Sequence, residues 1–259
     1  MTFDKIKQGK VADKVIGQLE ELVYGGVLEP GEKLPPERDL AKKMGVSRPS
    51  LREALYKMET RGLFESRQGG GTYVRSIVEP VFTDPLIDMF SSHPGAAEDY
   101  VEFRKALEGV AAYYAALRGT EADHEIITER FKAMEAAPQD PKIEAVTDAA
   151  FHLAISEAAH NVVLLHIMRG LFNLLRTGVF YNRSQLYARK GARDILLGQH
   201  KAMYDAILEG DPESAQNAAH NHLDYVLEFL YELGRTEVRE DVSRRRLDRI
   251  KRSDVGQKL

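Results

Sequence analysis

The chain has 259 residues, of which 43% are hydrophobic, and it contains no cysteine. This length accommodates two domains with hydrophobic cores, and the lack of cysteine excludes a disulfide framework and a thiolate metal site. The N-terminal residues have no apolar signal core, and no apolar run approaches the length of a membrane span. We therefore expect a cytoplasmic protein that does not enter a membrane.

Charge is unevenly distributed along the chain. Residues 1–75 carry 14 Lys and Arg against 11 Asp and Glu, whereas the remainder carries 22 against 29. The net charge of −4 thus hides a basic N-terminal region on an acidic body. A basic region of this kind favours a nucleic-acid partner.

Two short helices are predicted in the basic region. The run Glu37–Lys43 follows two prolines, and Gly45 ends it. Ser47 is placed to cap a second helix by accepting a hydrogen bond from a backbone N–H of its first turn. Pro49 falls within that turn, where a missing N–H has no cost.

The second helix has one apolar side and one basic side. Leu51, Leu55 and Met58 recur at helical spacing as a core stripe, and Arg48 and Arg52 lie four residues apart near the helix start. The N-terminal half of a recognition helix is the part that contacts base edges. The pattern therefore predicts a helix-turn-helix that binds DNA.

A β-hairpin is predicted after the second helix. The period changes to that of a strand from Leu63 to Arg67 and again from Thr72 to Arg75, with three glycines between the two runs. A triple glycine alone is equally compatible with a plain turn. Together with the helix-turn-helix it completes a winged arrangement whose tip can approach a phosphate or the minor groove.

The segment from PGEKLPPERDLAKKMGVSRPSLREAL to RQGGGTYV resembles the winged helix-turn-helix of the GntR family of bacterial transcription regulators, in its FadR-like subfamily. The resemblance implies that the first arginine of this motif, the start of the recognition helix and the wing tip contact the operator. These residues are Arg38, Ser47, Arg48, Pro49, Ser50, Arg52, Gln68 and Gly69. For Arg38 the alternative is an ion pair with a neighbouring acid on the helix surface.

The rest of the chain is predicted to be helical, giving a mainly α fold. Residues 1–76 would form the DNA-binding domain, 77–98 a linker with a short helix from Pro85 to Phe90, 99–235 an all-α sensor bundle and 236–259 a basic tail. The six bundle helices are expected at Asp99–Leu117, Glu121–Ala136, Ile143–Ala159, Val162–Phe180, Arg193–Glu209 and Pro212–Leu233. The tail is read as a solvated helix, with an auxiliary DNA or partner contact as the alternative.

Four polar residues fall on the apolar faces of these helices. Asp148 and His152 are four residues apart on one helix, while His200 and His222 occupy apolar registers on two others. A single such histidine is more often a hydrogen-bonded core residue than a metal ligand. Because unpaired buried polar groups are costly and one divalent ion satisfies all four, the joint pattern favours a metal site.

The same set resembles the FCD ligand-binding domain that follows the winged helix in this subfamily, which implies that Asp148, His152, His200 and His222 bind a metal. Three nitrogens and one oxygen suit Zn²⁺, Ni²⁺ or Mn²⁺. An open metal site also permits a metal-dependent hydrolase. The sequence has no His-Glu-x-x-His helix, nucleophile elbow, P-loop or dinucleotide fingerprint, so we expect a sensor and not an enzyme.

Three further residues are expected to contact the ligand. Arg104 is placed like the arginine that meets the ligand's carboxylate in the family, and a guanidinium suits a bidentate grip. Its alternative is a surface pair with Glu108. Asn173 and Arg176 are further pocket residues.

The resemblance implies a homodimeric repressor that a small carboxylate releases from operator DNA. Likeness along the whole chain points to the pyruvate-responsive branch, which regulates genes of the pyruvate dehydrogenase complex. The complete metal set is more typical of branches that respond to L-lactate or glycolate. We therefore expect a pyruvate-responsive regulator, with an L-lactate- or glycolate-responsive regulator as the alternative.

Overall fold

The computed structural model describes residues 9–76, 96–176, 186–187 and 189–256. These form two compact units. The first contains the described residues up to 76 together with residues 161–170. The second contains residues 96–160 and the described residues from 171 onward.

The DNA-binding region of the first unit has three helices and a hairpin. They are α1 (Gly9–Tyr24), α2 (Glu37–Lys43), α3 (Arg48–Thr60), β1 (Phe64–Arg67) and β2 (Gly71–Val74). Helix α1 was missing from the sequence prediction, and it packs against α3. Its buried stripe fills the centre of this unit and consists of Ala12, Val15, Ile16, Leu19 and Val23.

The predicted helix-turn-helix is confirmed in detail. Gly45 has a φ of 64°, a left-handed conformation that favours glycine, and it ends the turn after α2. The hydroxyl of Ser47 accepts a hydrogen bond from the backbone N–H of Ser50 at 3.3 Å, and Pro49 lies in the first turn of α3. The start of the second helix therefore follows from its cap.

The hairpin is antiparallel and places glycines at its tip. Phe64 pairs with Val74 at the open end, and Arg67 pairs with Gly71 next to the turn. Gly69 has a φ of 71°, so a larger residue there would be strained. The guanidinium of Arg67 stacks over the Tyr73 ring at 4.4 Å from its centroid, which holds an arginine beside the tip.

Six helices of the described part of the chain follow the DNA-binding region. They are α4 (Ala96–Arg118), α5 (Glu121–Glu135), α6 (Pro141–Ala158), α7 (Val162–Arg176), α8 (Ala192–Leu208) and α9 (Pro212–Gly256). Thr120 and Asp123 form a capping box at the start of α5, and Asp140 caps α6. Within the second unit, α9 packs against α4 and α8, while α6 packs against α4 and α5.

Most predicted helix boundaries agree with the structure to within about three residues, as expected when caps and breakers are present. Helix α9 is the exception, because it continues past the predicted end at Leu233 and through the predicted tail to Gly256. The linker helix and the predicted end of α7 at Phe180 lie outside the described residues. Among the described helices, none combines the length and apolar character that a membrane crossing needs.

Candidate nucleic-acid interface and metal centre

The residues predicted to contact DNA lie on the accessible surface of the helix-turn-helix and wing. Seven of the eight are exposed and Ser50 is half-buried. Arg48 and Arg52 are exposed and lie outside the buried stripe of α3, which contains Leu51 and Leu55. The structure thus leaves these side chains accessible to a duplex.

Two of the arginines also contact acidic neighbours. The Arg38 Nε lies 3.4 Å from Asp39 Oδ1 in an exposed pair, which is the alternative that the sequence left open. The Arg52 Nε donates to Glu37 Oε2 at 2.7 Å, with Arg52 still 64% exposed. Exposed pairs of this kind contribute little stability, so neither fixes its arginine away from a phosphate or a base.

The four predicted metal ligands converge inside the helical bundle. Helix α6 supplies Asp148 and His152, while α8 and α9 supply His200 and His222. Each is at most 2% exposed, and their donor atoms all lie within 4.8 Å of one another. Three helices therefore bring one carboxylate and three imidazoles to a single point.

The spacing of the donor atoms suits one metal ion. His152 Nε2 lies 3.1 Å from His200 Nε2 and 3.6 Å from Asp148 Oδ1, and His200 Nε2 lies 3.0 Å from that same oxygen. Metal bonds of about 2.0–2.2 Å place neighbouring ligand atoms roughly 3 to 3.5 Å apart. The donor types and their spacing therefore both fit a divalent transition metal.

The electrostatics of the cluster depend on its burial and its two nearby carboxylates. Burial, and then the neighbouring His200 and His152, lower the pKa of His222 well below its ordinary value of 6.5. Burial also acts to lower the pKa of His152, but Glu108 and Asp148 outweigh it and the pKa is raised. His222 is thus a neutral imidazole ready to donate its lone pair, and the carboxylates make the centre attractive to a cation.

Three residues around the cluster were missed by the sequence analysis. Glu108 Oε2 lies 2.8 Å from His152 Nδ1, and Gln199 Oε1 lies 3.2 Å from His222 Nδ1. The hydroxyl of Tyr187 donates to Asp148 Oδ1 at 3.0 Å. Only Glu108 had a signal in the sequence, because it continues the buried register that Arg104 and Ala111 share on α4.

Arg104 is buried. It does pair with Glu108, but the alternative that placed this pair on the surface is wrong. Arg104 is 0% exposed, and its Nε donates to Glu108 Oε1 at 2.6 Å. The guanidinium also lies over the Phe172 ring, 5.3 Å from its centroid. Arg104, Glu108 and His152 therefore form one buried chain of charged and polar groups leading to the cluster.

The other two predicted ligand contacts have no described side chain. Asn173 and Arg176 belong to the last turn of α7, and both side chains lie outside the described part of the structure. A groove of about 520 Å³ runs between α8 and α9. Gln199 lines this groove, whereas none of the four predicted metal ligands lines it.

Two family models match the chain over separate regions. The model "Bacterial regulatory proteins, gntR family" matches residues 11–74, and the FCD domain model matches residues 99–225. The "Putative L-lactate dehydrogenase operon regulatory protein" of Escherichia coli (strain K12) is 40% identical over 221 residues, covering 84% of this chain and 85% of that protein. The chain belongs to the GntR family, with an FCD domain after its helix-turn-helix.

Two further comparisons agree with this assignment. The "Glc operon transcriptional activator" of Escherichia coli (strain K12) is 37% identical over 234 residues, covering 88% of this chain and 92% of that protein. The solved structure described as "Streptococcus agalactiae GntR" has a TM-score of 0.53 and 25% identity, covering 85% of this chain and 99% of that one. The GntR match contains all eight residues predicted to contact DNA, and the FCD match contains the four predicted metal ligands.

Proposed function

We propose that this GntR-family regulator binds operator DNA as a homodimer and is released when a small carboxylate metabolite occupies its metal centre. The observation that carries the proposal is the convergence of Asp148, His152, His200 and His222 at one buried point of the FCD domain. Such a set, joined in the same chain to a DNA-binding region, suits sensing better than turnover. Because the regulator acts on chromosomal DNA, we place it in the cytoplasm.

The four side chains would hold one Zn²⁺, Ni²⁺ or Mn²⁺ ion. When bound, the metal supplies coordination positions for a carboxylate and for the oxygen on the adjacent carbon of the effector. Asp148 contributes the single negative charge among the four ligands, while the His222 imidazole is kept neutral by burial. A second negative charge from an effector is therefore attracted to the ion.

We propose L-lactate as the first effector to test and glycolate as the second. The name of the 40% identical relative refers to an L-lactate dehydrogenase operon, and this supports the lactate reading over the pyruvate reading. Pyruvate stays a third choice because it has the same carboxylate and a neighbouring oxygen. All three acids offer the two adjacent oxygens that a metal chelate needs.

Arg104 is the residue that we expect to meet the effector's carboxylate. Its guanidinium has five N–H donors in a fixed fork, so it can bind Glu108 and a second carboxylate at the same time. It is reached from the cluster through Glu108, which contacts both Arg104 and His152. An effector bound at the metal and at Arg104 would therefore engage both ends of this buried chain.

We infer the homodimer and the repressor role from the class of regulator. Winged-helix regulators read palindromic operators with two-fold symmetry, so two heads are needed for one site. The name of one 37% identical relative describes that protein as an activator. We propose that the regulator represses transcription while it is bound to the operator, and that the effector ends repression by releasing it.

A thermal-shift screen of the purified, metal-loaded protein tests this function. A ligand at 100 times its dissociation constant stabilises the native state by about 2.7 kcal/mol, which raises the melting temperature measurably. L-lactate, glycolate and pyruvate are compared with acetate, which lacks the second oxygen. We expect L-lactate to give the largest shift and acetate to give none.

The His200→Ala variant is the matched control in the same screen. It removes one metal ligand, so the shift from L-lactate should disappear while operator binding persists. A shift that is equal in the variant and the wild type would place the acid at a different site. No shift with any of the three acids would show that the small-acid proposal is wrong.

A further inference from the structure

Two of the three histidines in the cluster contact a residue outside the cluster through Nδ1 of their rings. Glu108 Oε2 lies 2.8 Å from Nδ1 of His152, and Gln199 Oε1 accepts from Nδ1 of His222 at 3.2 Å. A neutral imidazole carries one N–H, so an acceptor at Nδ1 places the proton there and leaves the lone pair on Nε2. For His152, Nε2 is the atom that faces Asp148 and His200.

The two outer partners differ in charge and surroundings. Glu108 is a carboxylic acid, is 3% exposed and accepts a hydrogen bond from Arg104 through its other oxygen. Gln199 is neutral, half-buried and lines the groove between α8 and α9. A substitution at Gln199 therefore leaves the buried ion pair of the bundle intact, whereas one at Glu108 disturbs it.

We propose that Glu108 and Gln199 are positioning residues that fix the tautomers of His152 and His222 and thereby set the metal affinity of the centre. The inference rests on the proposed metal site. A ligand histidine commonly donates its other N–H to a carboxylate or carbonyl, and loss of such a partner typically weakens metal binding by about 10- to 100-fold. Glu108 is not one of the four clustered ligands, and Gln199 contacts the cluster through the ring of His222.

The test measures Zn²⁺ affinity of the full-length protein by competition with a chromophoric chelator. Gln199→Leu keeps the side-chain volume but removes the acceptor, so we expect about a 10- to 100-fold loss of Zn²⁺ affinity. Gln199→Glu restores an acceptor and adds charge, so it should bind Zn²⁺ at least as tightly as the wild type. Both variants should keep the melting temperature of the metal-free wild type, because Gln199 lies at the edge of the bundle.

A second pair of variants tests the buried partner. Glu108→Gln still offers an oxygen to His152 but loses the charge, so Zn²⁺ affinity should fall. Its control is Glu144→Gln on α6, because Glu144 is also buried, pairs with Arg193 at 2.5 Å and is not one of the four clustered ligands. Loss of a buried ion pair destabilises both variants, but only Glu108→Gln should weaken Zn²⁺ binding.

The outcomes separate the inference from the function on which it rests. If the wild type binds Zn²⁺ and the Zn²⁺ affinity of Gln199→Leu is within about twofold of the wild-type affinity, the positioning role is wrong and the metal centre stands. A failure of Gln199→Glu to recover the affinity lost in Gln199→Leu contradicts the role equally. If the wild type takes up no Zn²⁺, Ni²⁺ or Mn²⁺, the proposed metal centre itself fails.

Discussion

The Nε of Arg52 on the recognition helix lies 2.7 Å from Oε2 of Glu37 on the preceding helix. The pair links α2 to α3 on the exposed side of the DNA-binding unit, with Arg52 64% exposed. An exposed pair of this kind adds little stability but favours one direction of the Arg52 guanidinium, and a carboxylate on a DNA-binding surface lowers the affinity for phosphates. The two residues can be separated experimentally.

Arg48→Ala and Arg52→Ala should each weaken specific operator binding by about 1 to 3 kcal/mol and relax sequence preference, because we propose that each arginine reads base edges. Fluorescence anisotropy with operator and scrambled duplexes measures both effects. Arg61→Ala is the control, since Arg61 pairs with Glu20 within the same unit. If neither arginine variant changes operator affinity while both stay folded, α3 is not the recognition helix.

Glu37→Gln should change specificity and total affinity in opposite directions. Removing a negative charge from the side that we propose faces DNA should raise affinity for any duplex, whereas freeing Arg52 should lower discrimination between operator and scrambled sequence. The ratio of the two dissociation constants, measured at fixed salt, is the quantity to compare. A ratio equal to that of the wild type would show that Glu37 does not position Arg52.

Metal analysis of protein purified without chelator should find about one divalent ion per chain, because four ligands converge on one point. His152→Ala should lose that ion, and chelation should lower the melting temperature of the wild type but not of the variant. Protein that neither retains nor takes up a transition metal would reduce these four residues to a polar core network.

The capping box of α5 gives a prediction about pH. Burial acts to raise the pKa of Asp123, but hydrogen bonds from Thr120 and His160 outweigh it and lower the pKa below its ordinary value of 3.8. A carboxyl group whose pKa is lower in the folded state stabilises the fold at pH values above its unfolded-state pKa. This stabilisation is lost as the pH falls through its folded-state pKa. The contribution of Asp123 should therefore be complete at neutral pH and disappear below about pH 3.8.

Melting temperatures of wild type and Asp123→Asn measure this contribution. The variant should melt lower at pH 7, and the difference should shrink as the pH falls below 3.8. Thr120→Ala, which removes the other half of the box, should cost about 1 kcal/mol at neutral pH. Glu125→Gln, an exposed change on the same helix, serves as the control. A difference that is constant across this pH range would contradict the account.

Local signals predicted most of the helices, and they failed where such signals were absent or overlooked. The start of α3 follows from Ser47 and Pro49, and the ends of α5 and α8 follow from nearby glycine and proline. Helix α1 was overlooked although Ala12, Val15 and Leu19 form a helical stripe. Helix α9 ran on past Gly234, because a single glycine costs a long helix only about 1 kcal/mol.

The predicted ligand set came from the apolar registers of single helices, which periodicity reveals. The outer partners could not be found in this way. Gln199 precedes His200 in the chain but contacts His222 on another helix, and only the packing of α8 against α9 brings them together. Similarly, the spacing of Glu108 and Arg104 predicts an i,i+4 pair but does not show that the packing of α4 buries both residues.

Arg104 requires a gentler substitution than alanine, because Arg104→Ala would leave Glu108 buried without its cation. Arg104→Lys keeps the charge but loses the bidentate fork. We expect this variant to bind operator like the wild type and to need more L-lactate for release. Arg193→Lys, in the ion pair with the buried Glu144, is the control and should respond normally.

The most direct test of the account is a titration of the metal-loaded protein on fluorescent operator DNA with L-lactate, followed by anisotropy. A tenfold loss of operator affinity requires about 1.4 kcal/mol of difference in effector binding between the two states. The account predicts release by L-lactate or glycolate at millimolar concentration, and no release from chelator-treated wild type or His200→Ala. An operator complex that none of L-lactate, glycolate and pyruvate alters, with metal present, would contradict it.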